Sequence, residues 1–587
     1  MCKRTTRTYV LCCFIISIFM CLLDNPLLAQ TSLPPRRGLQ VIIRGISGAE
    51  LANVQARVEM LQHETTYTDL NAARQHLLFL LPSNILEALK PFGYFDATLT
   101  HTLRQQRPDW IATYTITQGP PVMIRHIQLE VIGEGKDLSK LRKHLTHFPL
   151  QVGQRLRTKP YEAFRDQFVD LAHRLGFLDA AAVVHQIAVN RQARSANIHL
   201  VFDTGKRFSF GAVTFSETTF ADAFLQRYVR FKPGQHYSYD KLLKLQDDLS
   251  RSNYFQRVVV SGTRSSAVNY IVPIDVFLLP QKSHVYSIGA GYGTDTGPRL
   301  SLGWDWRWLN PYGHYLTALV SASTVQNSVM ARYVIPGKNP LRENYSIFTG
   351  AQHINVRGHG RSFTQQIGAA YQKQFDRWTS TMSLNFQHEQ SAITDNDTTT
   401  ETNSRYLMPS LSLQYLNGNK PFFPTEGYRA NLTVRGASTQ LLSSTNFAQV
   451  ELGGRFVYPL TDYQRILARA EVGYTIGTQI SDLPYSLNFW AGGVQSVRGY
   501  RYRSLGPGRY LLTGSLELHQ KIYHQLYGAV FYDIGNAFNN FPFPKKRATG
   551  IGLGWLTPIG AIQLSYAQAI DEPGKPHRIQ LSIGPLL

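Results

Sequence analysis

The residues best placed to do work lie late in the chain, in Ala491-Gly492-Gly493-Val494-Gln495-Ser496-Val497-Arg498-Gly499-Tyr500. Arg498 offers a planar fork of donors that can bridge two carboxylates. Gly499 permits a tight turn after it, and Val497 and Tyr500 supply apolar surface on either side. Two acids on the alternating runs that follow could receive the guanidinium. In 510–521, Thr513, Ser515, Glu517 and His519 share one side, opposite Leu512, Leu516 and Leu518. In 525–534, Asp533 shares its side with Phe531 and Ala529, opposite Val530 and Tyr532. From the residues alone, Arg498 is either a clamp on Glu517 and Asp533 or a solvated loop cation. Arg503, a little further on, has no assigned partner. This would be structural chemistry, and other chemistry finds little support. Gly289-Ala290-Gly291-Tyr292-Gly293 is glycine-rich, but no helix follows it, which argues against a nucleotide loop. No zinc-ligand spacing and no GxSxG motif occurs, and His284, His314 and His519 are dispersed. Neither a catalytic residue nor a metal nor a cofactor is expected.

The elements that must position Arg498 begin with an export signal. Lys3, Arg4 and Arg7 precede an uncharged apolar run, Val10 to Leu23, and Ala29 offers a small residue for cleavage. Residues 1–29 therefore read as a secretory signal peptide. All four cysteines (Cys2, Cys12, Cys13, Cys21) lie inside it, so neither a disulfide framework nor a thiolate site is available to the remainder. The formal net charge of +21 is spread along the chain. With an export signal, that basicity suits anionic headgroups or acidic unfolded clients and argues against nucleic acid. No later stretch is apolar over 18 residues, which leaves a soluble protein or a β-barrel.

The front half repeats, with a period of roughly 80 residues. The signal is a helix end followed by large apolar residues: Lys90-Pro91-Phe92-Gly93-Tyr94-Phe95, then Arg174-Leu175-Gly176-Phe177-Leu178, then Ser252-Asn253-Tyr254-Phe255. Gly or Asn at that point fits a left-handed helix terminus. Phe164, Phe168, Leu171 and Leu175 recur at helical spacing before the second terminus. Gly119 and Gly205 each precede an alternating strand. Each unit reads strand-helix-helix-strand-strand, with units at 30–119, 120–206 and 207–281.

From 282 to 587 the periodicity changes to two. Ile551, Leu553 and Trp555 alternate with glycines, and Ile579, Leu581 and Ile583 alternate with Arg578, Gln580 and Ser582. Sixteen such runs start near 284, 298, 314, 326, 344, 362, 377, 406, 427, 447, 465, 510, 525, 548, 561 and 577. An even count with one apolar and one polar face suits an antiparallel transmembrane barrel. The longest connection, 477–509, carries the Arg498 motif.

The front repeats resemble the polypeptide-transport-associated (POTRA) domain. Val497-Arg498-Gly499-Tyr500 resembles the signature of the outer-membrane insertase and secretion superfamily that includes BamA and TamA. Ser287–Trp304 and Phe531-Tyr532-Asp533-Ile534-Gly535-Asn536 extend that resemblance, and three front domains suit the TamA branch. The ending Ile583-Gly584-Pro585-Leu586-Leu587 is similar too, with Leu586 where an acid is usual. The resemblance implies α+β POTRA repeats (β-α-α-β-β, three copies) before a 16-stranded antiparallel transmembrane β-barrel. It implies a bacterial outer-membrane location with the front domains in the periplasm. It also implies that Arg498 clamps Glu517 and Asp533 in the lumen, and that the first and last strands form a lateral gate. Val285, Gly289 and Gly291 would face Ile579, Leu581 and Ile583 there. Glycines weaken a strand, or they only relieve crowding in the lumen; the resemblance favours the gate. The implied partners are the lipid bilayer, unfolded outer-membrane clients of the autotransporter type and a periplasm-spanning TamB-like protein. A two-partner-type secretion pore for a dedicated exoprotein is the alternative, and nothing in the residues favours a third reading, a barrel enzyme.

Overall fold

In the computed structural model of the chain, the described residues are 39–64, 70–106, 109–395, 398–418, 425–557 and 560–584. The expected signal segment and the terminal Pro585-Leu586-Leu587 lie outside them. The described residues form two compact units, one within 39–173 and 177–206, the other within 174–176 and 207–584.

The first unit contains two copies of the expected repeat. In the first copy Leu39–Arg44 pairs parallel to Asp109–Thr117, which pairs antiparallel to Thr98–Gln106. Helices Gly48–Glu64 and Leu70–Glu87 bury Val54, Val58, Leu81 and Ile85 against Ala112, Tyr114 and Ile116 of the central strand. The second copy has the same order: Met123–Ile132, helices Ser139–Leu145 and Thr158–Arg174, then Ala181–Asn190 and the central Ser195–Asp203. Its long helix buries Tyr161, Phe164, Phe168 and Ala172, and the Phe168 ring stacks on Phe202 at 3.8 Å. Leu171 and Leu175 are only half-buried, because Ala172 takes the inward position on that turn. Full burial of each phenylalanine contributes about 1.5–3 kcal/mol. The three helix termini behave as their residue types require: Gly93, Gly176 and Asn253 have φ of +87°, +99° and +61°.

The second unit begins with the third copy, a sheet of Ser209–Phe215, Ile271–Pro280 and Phe255–Ser261. Its first helix is reduced to Asp222–Leu225 and its second is Tyr239–Ser250. The short helix is the docking point for the barrel. Ala221 N–H donates to Pro311 O at 2.9 Å, and the Tyr254 hydroxyl donates to Gly313 O at 2.6 Å. Phe220 packs on Trp308, and Phe224 lies directly against Gly313, where any side chain would collide with the ring.

Sixteen antiparallel strands then follow in chain order, from His284–Gly293 to His577–Gly584. Each pairs with the next, and the loop 477–509 is bridged by direct pairing of Gln464–Ile476 with Tyr510–Tyr523. The observed starts agree with the alternation, with one large difference. The eighth strand runs Thr398–Gly418, where the pattern suggests a start near 406. Its extension Thr398–Asn403 is polar on both faces, so it carries no alternation to read. The alternating residues divide as a membrane barrel requires. Ile551, Leu553, Trp555, Ile579 and Ile583 are exposed on the outside, whereas Thr513, Ser515, His519 and Asp533 are buried in the lumen. Among the described residues no helix is long and apolar enough to cross a membrane.

A barrel whose strand amides are paired through fifteen successive ladders should resist detergent until heated. The membrane-inserted protein is expected to migrate faster on unboiled than on boiled denaturing gels. Identical mobility in both conditions would exclude the barrel.

Candidate functional site

The loop 477–509 enters the lumen as a folded structure. Phe489–Ala491 and Leu505–Gly508 form a small antiparallel ribbon, which the residue pattern did not reveal. Between them Val497 is fully buried and Tyr500 nearly so, packed with Leu511, Ala537, Ala548 and Ala569 of the barrel wall. Gly499 makes the turn at φ +88°, so close to the wall that a Cβ would lie 2.9 Å from Ala569 N. Only glycine satisfies both the dihedral and the approach.

The turn projects Arg498 onto two neighbouring strands. Its backbone N–H and Nε donate to Asp533 Oδ2 at 2.9 and 2.8 Å, and Nη2 donates to Asp533 Oδ1 at 2.7 Å. Nη2 also reaches Ser515 Oγ at 2.9 Å and Glu517 Oε1 at 3.0 Å. Ser515 donates to Asp533 Oδ1 at 2.6 Å, and the guanidinium carbon stands 3.4 Å above the centre of the Phe531 ring. Pairing of Ser515 with Asp533 across the ladder, and of Glu517 with Phe531, brings these groups onto one patch of wall. The structure thus unites Val497, Arg498, Gly499, Tyr500, Glu517 and Asp533. A buried ion pair holds only when its hydrogen bonds are satisfied, and removing one partner costs about 3–5 kcal/mol.

Three supports were not evident in the sequence. Arg469 donates to Val494 O and Ser496 O at 3.2 and 3.1 Å, holding the loop backbone just ahead of Arg498. Glu389, fully buried on another part of the wall, accepts from Ser362 Oγ at 2.7 Å, Gln387 Nε2 at 2.9 Å and Ser486 N at 3.0 Å, and from the Ser486 hydroxyl. Gln449 donates to Leu487 O at 2.9 Å. The loop is therefore pinned at two places, near 486 and near 498. The available signal was a charged or amide side chain on a lumen-facing position, shared with many ordinary lumen residues. Arg503 also differs from expectation. Its guanidinium lies over the Tyr485 and Tyr502 rings, at 5.4 and 5.6 Å from their centres.

The remaining sequence-derived residues lie at the two ends of the sheet. Val285, Gly289 and Gly291 are on the lumen side of the first strand, while Ile579 and Ile583 face outward from the last. Among the described residues no group of three or more His, Asp or Glu is disposed to hold a metal ion.

Modular β-α-α-β-β domains and a sixteen-stranded barrel, its lumen occupied by an arginine-pinned loop, define an outer-membrane barrel protein of the POTRA-barrel class. Comparison with known proteins gives the family. Residues 310–585 match the Omp85 superfamily domain, residues 40–118 the first POTRA domain of TamA, and residues 208–276 the POTRA-type surface antigen variable number repeat. The barrel is an Omp85 superfamily barrel, and the first front domain is of the TamA type. BamA from Haemophilus ducreyi lacking POTRA domains 1–3 superimposes with a TM-score of 0.68 at 20% identity, covering 79% of this chain and 99% of that one. The chloroplastic outer envelope protein 80 of Oryza sativa subsp. japonica is 30% identical over 21% of this chain and 22% of its own length. That of Arabidopsis thaliana is 26% identical over 36% of this chain and 31% of its own. The chain thus spans less than a third of the length of these curated relatives.

Arg498→Ala is expected to release the loop, exposing 477–509 to limited proteolysis in intact membranes, whereas Arg501→Ala, at an exposed position, should not. Glu389→Gln should loosen the loop near 486 with less effect near 498. Equal cleavage in the wild type and Arg498→Ala would show that the pin does not hold the loop.

Proposed function

We propose that this protein is an outer-membrane assembly factor that inserts or translocates autotransporter-type clients through a lateral opening between its first and last strands, with the front domains in the periplasm. A periplasm-spanning, TamB-like protein is the proposed partner, in keeping with the TamA-type first domain. The observation that carries the reading is the end of the sheet. Among the described residues the ladder runs from His284–Gly293 round to His577–Gly584, but these two strands approach without pairing into a ladder with each other. An unpaired pair of edges is a template for an incoming strand. The glycines of the first strand divide between the two explanations open to them. At Gly289 a side chain would collide with Ser301, which is relief of crowding, whereas at Gly291 it would meet nothing within 4 Å. Gly291 therefore weakens the strand without easing any contact, and supports an edge built to release. The secretion pore is the competing reading, and the occupied lumen weighs against it.

Cysteines paired across the seam provide the test, because the only native cysteines lie in residues 1–29. A scan of the outward-facing Ile288 and Ala290 against Ile579, Leu581 and Ile583, which share that face, should yield a disulfide where the Cα atoms lie about 4.4–6.8 Å apart. The locked protein should stay folded and abundant but stop assembling clients, and reduction should restore it. Full crosslinking with client assembly at the normal rate would discard lateral opening and favour the pore.

A further inference from the structure

We propose that Asp295 is a positioning residue that ties the lumen loop to the lateral seam. The inference rests on the lateral-opening reading and supplies it with a mechanical link. Asp295 sits in the tight turn between the first two barrel strands, His284–Gly293 and Gly297–Trp306. Its Oδ2 accepts the Val494 N–H at 2.7 Å, from a residue 199 positions away in sequence. The loop backbone is pressed onto this carboxylate: a Cβ on Gly493 would lie 2.8 Å from the same oxygen. Gln580 and Arg578 of the last strand and Arg299 of the second are its polar neighbours. One residue earlier, Thr294 Oγ1 accepts the backbone N–H of Leu581 at 3.2 Å. That amide belongs to the last strand, and the threonine hydroxyl takes up a donor that a closed ladder would give to the first strand. Two adjacent turn residues therefore hold the lumen loop and the last strand at once.

The link from this turn to Arg498 is short and stiff. Ser496 N donates to Gly493 O at 3.1 Å and Gly493 N to Val497 O at 3.2 Å, folding 493–497 into a compact turn. Arg469 fixes the carbonyls of Val494 and Ser496 from the wall. The segment is thus held from Asp533 at one end and from Asp295 at the other. Anchoring of Arg498 keeps Val494 over Asp295, and Thr294, beside Asp295 in the same turn, holds the first hairpin against the last strand. Loss of either contact frees the hairpin to move away.

Nitroxide labels at Ala290 and Ile579, both exposed on their strands, would report the width of the seam by pulsed electron paramagnetic resonance in the full-length protein reconstituted in lipid vesicles. Asp295→Ala and Thr294→Val should each give a longer and broader distance distribution than the wild type. Asp295→Asn, which keeps an acceptor for Val494, should stay close to it. Arg498→Ala should widen the seam alone and add nothing to Asp295→Ala, because the two act in series. A wild-type distribution in both Asp295→Ala and Thr294→Val, or additive widening by Arg498→Ala and Asp295→Ala, would overturn the link. Should Asp295→Ala fail to fold, Thr294→Val carries the same test. Client assembly is read separately: a wider seam with unchanged assembly supports the link and refutes lateral opening instead.

Discussion

The contact between Arg498 and Asp533 imposes its terms on everything around it. A guanidinium and a carboxylate shielded from water persist only if their donors and acceptors are filled. Asp533 fills its acceptors with the side chain and backbone of Arg498 and with Ser515; the guanidinium divides its donors among Asp533, Ser515 and Glu517, over the Phe531 face. That arrangement needs one strand register. Shifted by a single residue, the strand Leu526–Phe538 would turn Asp533 toward lipid and Tyr532 toward the lumen. The pin is therefore also a check on the ladder: the loop can seat only in a correctly registered wall.

A second consequence concerns the lumen. The loop is held near 498 by charge and near 486 by the fully buried Glu389, which its neutral donors satisfy. A loop fastened at two separated points of the wall behaves as an internal strut more than as a hanging plug. Its own ribbon, Phe489–Ala491 with Leu505–Gly508, stiffens the span between.

Much of this was legible because a barrel writes its geometry in a period of two. The outward apolar positions on one parity located fifteen strand starts within a few residues and placed Glu517 and Asp533 on the lumen side. The eighth strand escaped because Thr398–Asn403 is polar on both faces. Front-domain repeats were legible from Gly93, Gly176 and Asn253, whose positive φ is a local demand that few residue types meet. Partners far apart in sequence were not. Glu389, Gln449, Arg469 and Asp295 are polar residues among many, and only closure of the barrel decides which of them meets the loop. Arg503 was left without a partner for the same reason, since Tyr485 reaches it through the fold of the loop itself. The reduced helix Asp222–Leu225 reflects a surface given over to docking.

That docking bears on where force can travel. The third front domain grips the connection between the second and third barrel strands through Phe220, Phe224, Tyr254 and the Ala221–Pro311 bond, and Arg227 reaches the next connection on that side, at Pro336 O. The first barrel strand joins the same domain through the three residues 281–283, where Gln281 donates to Tyr254 O and Phe255 O at 2.8 and 3.1 Å and Ser283 O accepts from Arg307 N–H at 2.7 Å. Strands two to four are in effect bolted to a pedestal, and strand one is tied to it through that short connector and through its ladder with strand two. A tilt of the pedestal would then act as a lever on the barrel rim, delivered to strand one, which has a ladder on one side alone.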